Sequence, residues 1–184
     1  MDKCEVLPLT PARWNDLETL FGPNGAYSGC WCMWPYQTGA EFARNHGSRN
    51  REAFQQLVER TPPGLLAYAG DEPVGWVAVG PRHGYGRVIR SPLVRRTEGD
   101  QVWSIVCFYI RRSQRSKGMG QVLVEAAVDH SRSCGAATVE AYPLDRTRVR
   151  SSDAWPGVVS MFRNAGFTEV ARASPARPVM RLTL

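Results

Sequence analysis

The chain has 184 residues, of which 43% are apolar and 22% charged, with a formal net charge of +6. These values are those of an ordinary globular protein, one domain spanning residues 1–184 with enough chain to bury a core without disulfides. No run approaches the roughly 18 apolar residues of a membrane span, and Met1-Asp2-Lys3-Cys4-Glu5 lacks the features of a signal peptide, so a cytoplasmic location is the expectation.

In chain order, Glu5 to Leu9 reads as a short strand. Thr10 followed by Pro11 reads as an N-cap and first helical residue for a helix over Ala12 to Phe21. The segment Ala26 to Gln37 is dense in aromatic residues and carries Cys30-x-Cys32. With His46 downstream it invites a metal reading, but one closely spaced pair without a second is a weak zinc signal, and no metal is expected. Tyr27, Trp31, Trp34 and Tyr36 can instead line an apolar wall of a pocket; for Trp31 taken alone, core packing is the stronger reading. Ala40 to Glu59 is helical, with an interruption around Gly47 and a stop at Pro62-Pro63-Gly64. Leu65 to Ala69 and Pro73 to Val79 form a β-hairpin through Gly70-Asp71-Glu72. Pro81 to Gly99, with His83 and the arginines 82, 87, 90, 95 and 96, shows no periodicity and reads as a long loop that is functional or a solvated surface.

Val102 to Ile110 is a strand, followed by a basic loop and a helix from Gly118 to about Cys134, with Met119, Leu123, Ala126 and His130 on its apolar side. The loop therefore empties into a first helical turn, whose free N–H groups and positive dipole end suit an anion. Arg111, Arg112, Arg115 and Lys117 add formal charge there. A dinucleotide-binding loop requires a third glycine, and its position holds Leu123; a Walker loop is absent as well. Ala137 to Tyr142 is a further strand. A helix over Pro156 to Ala165, capped by Asp153, and a last hairpin, Thr168 to Ala173 with Val179 to Leu184, complete the chain.

Strand Phe108-Tyr109-Ile110, the segment Arg115-Ser116-Lys117-Gly118-Met119-Gly120 and the helix after it resemble the acyl-CoA pyrophosphate loop of the GNAT superfamily of N-acetyltransferases. Val74-Gly75-Trp76-Val77, and Met161 through Phe167, are similar to two further segments of that superfamily, and Gly29 to Met33 resembles uncharacterised bacterial members. The resemblance implies an α/β (α+β) fold, a mixed central β-sheet with helices on both faces, and acyl-CoA held at a splayed central strand. It implies acetyl-CoA as co-substrate, bound by the loop from Arg115 to Gly120 and by the main chain of Phe108 and Ile110. Tyr27, Trp31, Trp34 and His83 would face the acceptor. The implied activity is transfer of an acetyl group to a primary amine, most simply of a small molecule such as an antibiotic or metabolite.

The sequence departs from the family at the late helix, where the tyrosine that many relatives use to protonate the CoA sulfur is Phe162. Tyr142, Ser160 or a water are the substitutes, and Glu140 or Asp145 are candidate bases. Cys107 on the central strand reads as a small buried hydrophobe in preference to a nucleophile, and His130 as a packed residue. The missing tyrosine also motivates a second reading, a non-catalytic acyl-CoA-binding sensor or interaction protein.

Five cysteines, odd in number and mostly scattered, read as reduced thiols, and the positive charge is nearly all arginine, since only Lys3 and Lys117 are lysines. Arginine suits an anionic ligand such as CoA. The basic residues are dispersed and no nucleic-acid module accompanies them, so neither nucleic acid nor membrane is an expected partner; a homodimer stays open.

Overall fold

The structure, a computed structural model, describes residues 4–92, 99, 101–150 and 152–184. Seven strands form one sheet in the order β1-β2-β3-β4-β5-β7-β6. They are β1 Cys4–Pro8, β2 Gly64–Ala69, β3 Glu72–Pro81, β4 Val102–Ile110, β5 Thr138–Ala141, β6 Thr168–Ser174 and β7 Arg177–Thr183. All neighbouring pairs are antiparallel except β4 and β5, which run parallel. A parallel pair needs a crossover, and helix α5, Met119–Ser133, supplies it.

Strand alternation divides the core between the two faces of the sheet. Leu65, Ala67, Val77 and Val79 point to the side covered by α5 and by α6, Val159–Asn164. Leu66, Tyr68, Trp76 and Ala78 point to the other side. There they meet α1, Trp14–Phe21, whose Trp14, Leu17, Leu20 and Phe21 are buried at helical spacing, and α3, Ser48–Arg60, which contributes Phe54 and Val58. On α5 the buried stripe is Met119, Leu123, Val124, Ala127, Val128 and Ser131. It is rotated from the expected one, so that Ala126 and His130 sit at its half-buried margin. His130 packs edge-on against Trp103 with ring centroids 5.8 Å apart, and burial lowers its pKa.

The expected helix over 40–59 divides into α2, Gly39–Arg44, and α3. Gly47 breaks it at φ 80° and donates its N–H to the carbonyl of Gly29 at 3.1 Å. The stretch after Pro81, read from sequence as a loop, instead forms a 3-10 turn, Arg82–Gly84, and a short helix α4, Gly86–Arg90. Tyr85 between them is buried and packs its ring 5.0 Å from that of Tyr36, which pins the segment to the sheet. Arg95 and Arg96 lie outside the described residues. The late helix starts at Val159 rather than Pro156, and Asp153 does not cap it. Gly157, at φ 78°, turns the chain, and Leu144 and Val158 then form a parallel bridge that keeps the backbone extended up to the helix. No helix among the described residues is long and apolar enough to cross a membrane.

Candidate active site

The central feature is the separation of β4 from β5. Their pairing runs from Val102 opposite Thr138 to Ile105 opposite Ala141 and stops there, although β4 continues to Ile110. On the other edge the register of β3 with β4 jumps between Ala78/Cys107 and Val79/Ile105, leaving Val106 as the extra residue of a bulge. A bulge bends and twists its strand, and this one turns both Val106 and Cys107 toward the α1 side while Ile105 and Phe108 face α5. The outer half of β4 thus diverges from β5 and opens a cleft.

A cavity of about 860 Å³ fills that cleft. Cys107 through Ile110 form its floor, Arg115 and Met161 one end, and Tyr27, Trp34, Phe42 and His46 the other; Trp155 belongs to the segment that crosses it. Such a volume is of the size that holds a small ligand.

At the first end, Ser116 and Gly118 both take positive φ, 59° and 81°, and the loop they shape leads into α5 with no side chain capping its first turn. The backbone N–H groups of that turn are thus left for a ligand. Arg115, Ser116, Lys117 and Gly118 are exposed. The Arg115 Nε–H donates to the carbonyl of Ile110 at 2.9 Å, which ties the loop to the end of β4. Gly120 lets α5 approach α6: a Cβ there would lie 2.8 Å from the Met161 Cε. Met119 itself is core.

The Phe108 N–H, which the sequence reading assigned to ligand, donates to the carbonyl of Trp155 at 2.7 Å. The chain at Trp155 therefore passes beside the open edge of β4. Leu144 holds the chain just beyond it, donating to the carbonyl of Gly157 and accepting from the N–H of Val159.

At the second end the wall is made of side chains. Ala26, Ser28, Trp31 and Cys32 all have positive φ, a costly conformation for residues with a Cβ. Packing holds the strained turn: Trp31 stacks on Trp14 with centroids 6.0 Å apart, and its indole lies where a Cβ on Gly25 would be. Trp31 is thus core, and does not line the cavity. Trp34 meets Phe42 edge-on at 5.1 Å, and Phe42 meets His46 at 5.7 Å. The guanidinium of Arg87 lies over the Trp34 ring, 3.5 Å from its centroid, and donates to its carbonyl at 2.8 Å.

Cys30, Cys32 and Cys107 also line the cavity, all as free thiols. The Trp76 indole N–H donates to the Cys32 sulfur at 3.3 Å. Burial and the neighbouring Cys32 push the Cys30 thiol up to about 11. Hydrogen bonding with Cys32, together with burial, raises that of Cys107. Cys30 and Cys107 are thus protonated at neutral pH and poor nucleophiles. Among the described residues no group of three or more His, Cys, Asp or Glu is arranged to hold a metal ion.

The acid and base candidates lie apart from the cavity. Glu140 is fully buried and accepts from Arg82 at 3.1 Å, from Arg181 at 2.5 Å and from the Tyr142 hydroxyl at 2.9 Å. Ser104 on β4 lies 2.9 Å from the same Tyr142 oxygen. With the Tyr142 proton directed at the carboxylate, Ser104 is the donor of that contact. Burial and the charge of Glu140 raise the Tyr142 pKa. This network joins β4, β5 and β7 beneath the cleft, and none of its members lines the cavity. Ser160 is exposed on α6 and Asp145 is held by Arg172 at 2.8 Å; neither lines it. His83 is exposed on the turn after β3 and likewise stands outside. Phe162 is fully buried, its ring 6.0 Å from that of Phe108.

The residues that sequence reasoning missed are Phe42, His46, Trp155 and Met161. His46 was weighed only as a metal ligand. Nothing in the local sequence of Trp155 marks its carbonyl as the partner of a strand more than 40 residues earlier.

The family model described as Acetyltransferase (GNAT) family matches residues 26–150. The chain belongs to the GNAT acetyltransferase family. GNAT membership makes it an acyltransferase. In fold it is similar to the PaiA N-acetyltransferase of Thermoplasma acidophilum, solved with coenzyme A, at 13% identity and TM-score 0.58, with 99% of each chain covered. It is also similar to the YncA putative acetyltransferase of Salmonella typhimurium, solved with acetyl-CoA, at 16% identity and TM-score 0.54, covering 98% of this chain and 94% of that one. A third GNAT-like structure is the polyamine N-acetyltransferase of Drosophila melanogaster, which forms N-acetylagmatine, at 14% identity and TM-score 0.59, covering 99% and 100%. No curated protein matches the sequence.

Proposed function

We propose that the protein transfers an acetyl group from acetyl-CoA to a primary amine of a small molecule. The observation that carries this reading is the continuity of one cavity from Arg115, beside the free turn of α5, along the open half of β4 to an aromatic wall. Similar folds solved with coenzyme A or acetyl-CoA support the donor. In this reading the first turn of α5, with Arg115, Ser116 and Lys117, holds the diphosphate, where fixed N–H groups and guanidinium charge act together. Gly120 keeps α5 close to Met161, so that the ligand passes between the helix start and β4.

The Phe108 N–H is the donor for the thioester carbonyl. It becomes available when the Trp155 carbonyl gives way, and it then stabilises the oxyanion that develops during attack. Main-chain contacts at Ile110 orient the same arm. Ser104, Tyr142 and Glu140 act as a positioning network that fixes β4 against β5. His46, the imidazole among the lining residues, takes the amine proton as a general base. Phe162 offers no proton, so the departing sulfur leaves as thiolate or is protonated by water.

The experiment is incubation with acetyl-CoA and a broad panel of primary amines, read by mass spectrometry. Acetylated product is expected, and its absence across the panel favours the second reading, a protein that binds acyl-CoA without turnover. The burial of Phe162 in the core is the observation in favour of that alternative.

A further inference from the structure

We infer that the acceptor is a primary monoamine on a flat apolar or aromatic body, an arylalkylamine in chemical class, and not a polyamine or other polycation. The inference rests on the acetyltransfer reading above and names the substrate of the same cavity.

Charge carries the argument. Among the described residues that line the cavity, none is Asp or Glu, and one is Arg115. The carboxylates close in sequence to its lining residues are not themselves part of the lining, and each has its own hydrogen-bond partner. Glu18 accepts from Arg51 at 2.5 Å. Glu41 closes a capping box with Thr38, accepting from its N–H at 2.8 Å. Asp153 accepts from Ser152 at 3.3 Å.

Aromatic faces can substitute for a carboxylate in holding an ammonium, but at Trp34 a guanidinium already does so. Arg87 stands 3.5 Å from the centroid of that ring. The lining is thus apolar and aromatic, with Arg115 its one arginine and no carboxylate beside it. A second cationic group entering the cavity would lose its water, meet no counter-charge and face like charge.

Shape points the same way. Phe21 and Tyr109 meet edge-on at 5.5 Å, and Trp34 and Phe42 at 5.1 Å, which fixes a rigid aromatic lining. Tyr27, two-thirds exposed, lies on the same cavity. A planar ring finds stacking partners there, whereas a flexible polar chain finds no hydrogen-bonding partners in proportion to its groups. In the reaction the amine nitrogen forms the new bond to the acetyl carbon and the carbon–sulfur bond breaks. The sulfur leaves with the electron pair, the amine proton passes to His46 and then to solvent or sulfur, and the products are the N-acetyl amine and free CoA thiol. No oxidant or reductant is needed.

The test uses the full chain with saturating acetyl-CoA and separate amines, 2-phenylethylamine and tryptamine against spermidine and agmatine, with product measured by mass spectrometry. Acetyl-CoA binding is followed in parallel by calorimetry. The expected result is a kcat/KM for the arylalkylamines at least about 100-fold above that for the polycations. A carboxylate introduced by Ser28→Asp, at a φ of 49° that aspartate tolerates, should raise spermidine turnover about tenfold or more. Polycations acetylated as well as the arylalkylamines would overturn the inference. So would acetyl-CoA binding without any arylalkylamine product, or a folded Ser28→Asp protein whose spermidine rate is unchanged. Failure of acetyl-CoA to bind overturns the donor reading itself, and the acceptor assignment with it.

Discussion

The two ends of the cavity are built from different material. At the α5 end the working parts are backbone: the φ angles of Ser116 and Gly118, the uncapped first turn and the N–H of Phe108. At the aromatic end they are side chains drawn from the 26–34 turn, α2 and the residues just after it, held by edge-on contacts between rings. A backbone site needs particular residue types at fixed spacing, so it leaves a motif. A side-chain wall needs only volume and polarity, which many sequences supply, so it leaves none, and it is the end where specificity is free to differ.

The largest expected effect removes what both ends stand on. Glu140→Ala strands Arg82 and Arg181 without their shared carboxylate and should cost about 3–5 kcal/mol, read as a lower midpoint in urea unfolding. A loss below about 1 kcal/mol would mean that the network does not hold β4, β5 and β7 together. At the aromatic end, His46→Ala should lower kcat/KM by about 100-fold while leaving acetyl-CoA binding unchanged. An unchanged kcat/KM would assign proton removal to solvent.

The thiols beneath the aromatic wall give an intermediate effect with a defined sign. The folded-state pKa of Cys30 is raised from an ordinary value of 9.0 to about 11. The stability it contributes is therefore complete below pH 9 and is lost as pH rises toward 11. Alkylation of Cys30 by iodoacetamide should be slow at pH 8 and accelerate across that window, and fast labelling at pH 8 in the folded protein would contradict the burial of this turn. The smallest effect belongs to the α5 end. Gly120→Ala meets only the mobile end of Met161, so it should cost less than about 1 kcal/mol while weakening acetyl-CoA binding. A larger loss of stability would show that the approach of α5 to α6 has no slack.

The same division explains how much was legible in the sequence. Strand alternation and helical spacing gave the order of most elements, and the glycines after Arg115 marked the turn into α5, because both are local. The helix after Tyr85 escaped notice because its anchor is the ring of Tyr36, far away in sequence. Pro156 was read as a helix start, yet Val158 pairs with Leu144 and keeps the chain extended until Val159. Glu140 carried the chemistry of a base but sits under two arginines contributed by distant segments. His83 and His46 are both isolated histidines in the sequence; the edge-on contact of His46 with Phe42 is what holds it at the cavity. The main chain of Phe108 and Ile110 was read as contacting ligand; in this structure the Phe108 N–H donates to the carbonyl of Trp155, a partner that nothing local in the sequence announces.

Calorimetric titration of acetyl-CoA into the wild-type protein and Arg115→Glu tests the central claim most directly. The account predicts binding on the order of micromolar affinity for the wild type. It predicts a loss of about ten- to a hundredfold in Arg115→Glu, with an unfolding midpoint close to that of the parent because Arg115 is exposed. No detectable binding by the wild type at high micromolar ligand, or equal affinity in the two proteins, would contradict it.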